Sequence, residues 1–133
     1  MRKLICFAMG LLLLVGISSC VGSGPDSDID KTLLYGTWQE GSVYERYYAT
    51  PIDFRLPNGN TVQVNGTTWD AADDISEEEA QAFNWTLTGS TMVHEHVGTF
   101  ITVPKVYTIN TLTSNQLTYS DNYGRTHYYS KIR

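Results

Sequence analysis

The chain has 133 residues, with 14 acidic and 9 basic side chains, a formal charge of −5, 41% hydrophobic residues and two cysteines. An acidic chain with no basic stripe repels phosphate backbones, so a nucleic-acid partner is not expected. One modest core is all that this length supports, which means a single domain.

In chain order, Arg2 and Lys3 form a positive n-region, and Leu4 to Ile17 an almost unbroken apolar run. Ser18 and Ser19 then lead to Cys20. This is the layout of a secretory signal peptide, expected over residues 1–19, and the run is too short to span a bilayer as a mature helix. Ile17-Ser18-Ser19-Cys20 resembles the bacterial lipobox, which implies cleavage before Cys20 and acylation of its thiol. Each buried methylene contributes roughly 0.8 kcal/mol, so several acyl chains make a stable membrane anchor where one is marginal. Cys6 leaves with the leader and Cys20 becomes the lipid carrier. No thiol then remains for a disulfide, for thiol catalysis or for a cysteine metal site. Loss of Arg2 and Lys3 takes the net charge to about −7.

Residues 20–30 continue as "VGSGPDSDID" after the cysteine, a Gly/Ser/Pro/Asp composition that suits a flexible tether. The acids begin only at Asp26, a poor match to the acidic surface-export signals of some Gram-negative groups, so the membrane leaflet stays open. The expected location is the bacterial cell envelope, on the outer membrane, at its periplasmic face or at the cell surface.

The folded domain is expected over residues 31–133. A short helical turn from Asp30 to Leu34 would cap one end of it. Strands are expected at Thr37–Tyr48, Ile52–Leu56, Thr61–Val64, Phe83–Thr88, Met92–Val97, Lys105–Thr111, Gln116–Asp121 and Thr126–Ile132. Thr, Tyr and Val favour strand in these segments. The segments are punctuated by Pro57-Asn58-Gly59-Asn60, Thr88-Gly89-Ser90, Thr113-Ser114-Asn115 and Asn122-Tyr123-Gly124, where Gly and Asn tolerate positive φ. About eight short strands at close spacing predict an all-β, antiparallel, up-and-down β-barrel, whose closure removes exposed edges. One stretch differs. In "DDISEEEAQAF", residues 73–83, Ser76 and Glu79 have capping-box spacing and the acids cluster where a helix N-terminus favours them. A short acidic helix packed by Ile75, Ala80 and Phe83 is expected there. The spacing lacks the alternating Asp/Asn and central Gly of a calcium loop.

Gly36-Thr37-Trp38, on a first strand after a short helical turn, resembles the lipocalin signature. With "WTLTGSTM", "VPKVYTINTLTSNQLTYSDNYG" and "YYSKIR", residues 31–133 look like the compact lipocalin-like domains of Gram-negative lipoproteins. The resemblance implies that Gly36 and Trp38 plug the closed end of the barrel. It further implies a basic side chain of the last strand, Lys131 or Arg133, packed across the indole. This chain is short for such a barrel and has no disulfide.

Alternation along a single strand 37–48 puts Trp38, Glu40, Ser42, Tyr44, Arg46 and Tyr48 on one face. Thr37, Gln39, Gly41, Val43, Glu45 and Tyr47 fall on the other. Tyr44, Arg46 and Tyr48 could fix a ligand among Trp85, Tyr107, Tyr119 and Tyr129, or the tyrosines could straddle a thin core with their hydroxyls in water. His94 and His96 point the same way on one strand, and His127 could complete a metal set. Glu95 points oppositely, and two such histidines are more often surface or hydrogen-bonded residues. The sequence has no nucleophile elbow, phosphate loop or recognisable nucleophile–base pair, so no enzyme and no cofactor is expected. The expected function is binding of a small hydrophobic or lipid-like molecule by a membrane-anchored barrel. The alternative is an envelope interaction protein whose barrel is filled by its own side chains.

Overall fold

The structure, a computed structural model, describes residues 29–99 and 101–133. The expected leader, Cys20 and most of the expected tether therefore lie outside the described residues. Eight antiparallel strands run in sequence order and close into a barrel: β1 (Gly36–Glu40), β2 (Val43–Arg55), β3 (Thr61–Asp70), β4 (Gln81–Thr88), β5 (Thr91–Val97), β6 (Thr102–Leu112), β7 (Gln116–Asp121) and β8 (Thr126–Lys131). The fold class is the one expected, although the first three strands divide differently.

Gly41-Ser42 breaks the expected strand 37–48 into a hairpin in which Glu40 pairs with Val43. Gly41 takes φ +57, which a two-residue hairpin turn requires and glycine supplies at no steric cost. The second half then runs on through an irregularity between Tyr47 and Ile52 to form one long β2. The expected strand 61–64 continues to Asp70. Its interior Gly66 pairs with Phe83, whose ring lies over it so closely that an added Cβ would meet the ring at 2.3 Å. Beyond that pair β3 and β4 part, and Asn65 bridges them. Its side-chain amide donates to the Trp85 carbonyl at 3.1 Å and accepts from the Trp85 amide at 2.8 Å.

At the closed end a 3₁₀ turn at Lys31–Leu34 is capped by Asp30, whose carboxylate accepts from the Thr32 amide at 3.0 Å. Trp38 is fully buried and donates its indole N–H to the Leu34 carbonyl at 2.8 Å. Lys131 Nζ lies 5.2 Å from the centre of the indole and donates to the Leu33 carbonyl at 3.2 Å. Gly36 opens β1 against the chain terminus, where an added Cβ would sit 2.4 Å from the Arg133 carbonyl. Leu34, Met92, Ile109 and Leu117 complete this end of the core.

The β1–β8 seam is short, with Trp38 facing Lys131 and Gln39 facing Ser130. Towards the other end the Glu40 carboxylate continues the seam by accepting from the Tyr128 amide.

The acidic helix expected at 73–83 is absent. Residues 71–80 form two short 3₁₀ turns, Ala71–Asp73 and Glu77–Glu79, separated by Asp74 in the left-handed region at φ +58. Ser76 makes no side-chain cap. The competing interaction is the sheet: a helix through residue 83 would remove the pairings of Gln81, Ala82 and Phe83 with β3. Glu77 instead reaches Arg46 and, at 3.2 Å, Arg133.

Candidate functional site

The ends of the strands opposite Trp38 leave the barrel open. A cleft of about 430 Å³ enters there. Its floor and walls include Glu45 and Val43 from β2, Thr68 from β3, Gln81 from β4 and His96 from β5. Tyr107 from β6, Tyr119 from β7 and His127 and Tyr129 from β8 complete them. Asp70, Asp73, Ile75, Glu79 and Lys105 form the rim. Surface grooves of similar size exist, such as one of about 440 Å³ beside the N-terminal turn, but that groove has no buried titratable group in its lining.

The hairpin explains why these residues meet. Pairing of Glu40 with Val43, and of Trp38 with Glu45, puts residues an odd number apart on one face. The inward face of β2 is therefore Val43, Glu45 and Tyr47. Tyr44, Arg46 and Tyr48, expected on the same strand face as Trp38 and as candidates to fix a ligand, stand on the outer face. Tyr44 stacks on Trp69 with ring centres 5.2 Å apart, and Arg46 lies 5.1 Å from the centre of the Tyr48 ring while paired to Glu77. Of the other expected ligand residues, Tyr107, Tyr119 and Tyr129 line the cleft. Trp85 is buried deeper in the core, edge-on to Tyr47 at 5.6 Å.

Glu45 is the centre of the site and is only 6% exposed. Its carboxylate accepts from the hydroxyls of Tyr47 at 2.5 Å, Tyr119 at 2.5 Å and Tyr129 at 3.1 Å. Among the described residues no Lys, Arg or His nitrogen forms an ion pair with it. Hydrogen bonds to a charged group contribute roughly 1.5–3 kcal/mol each, whereas burying an ion costs several kcal/mol. Burial wins here and raises the Glu45 pKa, against the lowering effect of the three hydroxyls and of His127. The same burial, with the Glu45 charge, pushes the Tyr119 and Tyr129 hydroxyls far above the usual tyrosine range, so both remain donors. Tyr107 is pushed up to about 12, chiefly by burial.

Behind Glu45, the Tyr47 hydroxyl lies 3.1 Å from His94 Nε2. Tyr47 has one proton and donates it to Glu45, so the neutral His94 carries its proton on Nε2 and donates to Tyr47. Burial, then the charges of His96 and Lys105, holds His94 well below the ordinary histidine range. The ring is stacked on Phe83 with centres 4.2 Å apart. His96 is lowered to about 4, mainly by burial, and its Nε2 is buried with no hydrogen-bond partner among the described residues.

His127 stands across the cleft between two carboxylates, Nδ1 3.2 Å from Glu40 and Nε2 3.3 Å from Asp121. A protonated ring donates to both; a neutral one donates to only one. His94 and His96 lie side by side on β5 with ring centres 5.9 Å apart, and His127 is held separately by its two carboxylates. His94 is committed to Tyr47 and His127 to its carboxylates, and no group of three or more His, Cys, Asp or Glu side chains among the described residues is arranged to hold a metal.

Sequence reasoning missed Glu45 and Tyr47 as inward residues. A Gly-Ser pair between two alternating runs is itself a hairpin signal, and reading it as one reverses the assignment of faces.

Fold and site together define an eight-stranded up-and-down barrel with one plugged end and one open end, the open end carrying a buried carboxylate in a tyrosine cage. Comparison with protein-family models, with curated proteins and with solved structures finds no match to this chain.

Proposed function

We propose that this protein is a lipid-anchored, non-catalytic binding protein of the bacterial envelope that holds a small amphipathic molecule in the open mouth of a lipocalin-like barrel. The observation that carries the reading is the cleft of about 430 Å³ with buried polar side chains on its floor. Ligand sites commonly span roughly 300–1,000 Å³ and combine apolar walls with a few placed polar groups. The plugged half, filled by Trp38, Phe83, Trp85 and Met92, leaves depth for a ring or a short chain rather than for a long acyl tail. The leader and the Ile17-Ser18-Ser19-Cys20 motif support acylation at Cys20 and attachment to the membrane.

Native mass spectrometry of the protein purified from its own cells tests both parts. The expected spectrum shows an acylated chain beginning at Cys20 and a bound small molecule released at higher collision energy. A chain without lipid sinks the anchoring reading, and an acylated chain without adduct in every preparation sinks the binding reading. A second reading, a protein-interaction module, draws on exposed Ile101, Val103, Val106 and Tyr123 beside the mouth. Co-purification of one stoichiometric protein in place of a small molecule would favour it.

A further inference from the structure

Glu45 presents an unusual combination: a buried carboxyl group, caged only by neutral donors, facing an open cleft. A buried charge is ordinarily paired, because leaving it unpaired costs several kcal/mol. Its three phenol partners supply hydrogen bonds but no positive charge. No neighbouring imidazole supplies it in contact. His94 and His96 are held neutral by burial, and His127, whose charge reaches Glu45 only as a distant and minor influence, is held by Glu40 and Asp121. Lys105 lines the same cleft but is exposed at its rim, where Asp70, Asp73 and Glu79 outnumber it.

A second, independent feature points the same way. His96 lines the cleft, and its Nε2 is buried with no hydrogen-bond partner among the described residues. Such orphans are rare in native folds and call for a specific explanation. A neutral imidazole offers an acceptor nitrogen, and the cage around Glu45 offers tyrosine ring faces as well as carboxylate oxygens. A protonated primary amine matches this set: it carries one positive charge and three N–H donors, and it is attracted to aromatic faces.

We propose that the mouth of the barrel selects small primary amines in their protonated form, with the ammonium group facing Glu45 and an apolar body lying against Tyr107, Tyr119 and Tyr129. This rests on the ligand-binding reading above and names the class of ligand. The amine supplies the counter-charge that the protein withholds. The acidic rim concentrates cations at the entrance and disfavours anions.

The test uses the full chain in detergent and three probes of one shape: 2-phenylethylamine, 2-phenylethanol and phenylacetate. Titration calorimetry at pH 7.5 is expected to show the amine binding at least tenfold more tightly than the alcohol, with no saturable binding of the acid. Glu45→Gln is expected to bring amine and alcohol within about twofold of each other. If all three probes bind alike in the wild type, the amine class is wrong and the ligand-binding reading survives. An amine preference that persists in Glu45→Gln assigns it to the rim and overturns the proposal. No binding of any probe also overturns it, and leaves the broader reading to the native spectrum. Should Glu45→Gln fail to fold, nuclear Overhauser contacts between the bound amine and the Tyr119 and Tyr129 rings in the wild type decide the matter. Their absence counts against the proposal.

Discussion

An added methyl group at Gly66 would lie 2.3 Å from the Phe83 ring, well inside van der Waals contact. Phe83 is fully buried and stacked on His94, so it has little freedom to retreat. Gly66→Ala is therefore expected to destabilise the fold by about 1–3 kcal/mol, the usual cost of overpacking. Phe83→Leu in the same chain should recover part of the loss, measured by urea unfolding.

The buried histidines give a second prediction at this scale, with a definite sign. His96 is lowered from 6.5 to about 4, and His94 is also lowered. Between those values the unfolded chain binds protons that the folded protein does not, so stability rises with pH and is lost on acidification from about 6.5 towards 4. Glu45 works in the opposite direction. Its raised pKa means that the folded carboxyl takes up its proton earlier than the unfolded one, which relieves the burial cost as pH falls. The midpoint of thermal unfolding should fall across pH 6.5–4 in the wild type and fall less steeply in His96→Gln. A steeper fall in the variant would contradict the assignment.

Among the elements, the acidic connection is the most instructive. "SEEE" has the spacing of a helix cap, yet the Ser76 hydroxyl caps nothing. A working N-cap serine contributes about 1 kcal/mol. Ser76→Ala is expected to change stability by less than about 0.5 kcal/mol, as ordinary exposed sites do. Calorimetric unfolding of the pair distinguishes the two. Local propensity lost here because residues 81–83 make strand pairings with β3 that a helix would break. The N-terminal turn is the contrasting case. The Asp30 carboxylate accepts from both the amide and the hydroxyl of Thr32, a cap made within the segment itself, so the turn forms where the sequence places it.

At the scale of the whole molecule, the two ends of the barrel divide the work. The closed end is packed around Trp38, Leu34, Met92 and Leu117, all fully buried. Trp38→Ala should cost about 3–5 kcal/mol, the range for removing a large aromatic from a core. Asp73→Asn at the exposed rim should stay within about 0.5 kcal/mol and leave the thermal midpoint unchanged. Equal losses for the two variants would refute this division between a packed end and an open end.

The number of strands and their antiparallel order were legible in the sequence, because turn residues and alternation are local features. His94 and His96 were recognisable as sharing one face of a strand for the same reason. The direction of β2 was not read correctly. One two-residue turn reversed the parity of every side chain after Ser42, moving Tyr44, Arg46 and Tyr48 outside and bringing Glu45 and Tyr47 in. The cage around Glu45 is not local at all. Its hydroxyls come from positions 74 and 84 residues away as well as from Tyr47 next to it on the same strand. Local chemistry determined that this chain makes strands separated by tight turns. Only closure of the sheet, which brings β7 and β8 round to face β2, decided that a carboxylate would be buried among phenols at the open end.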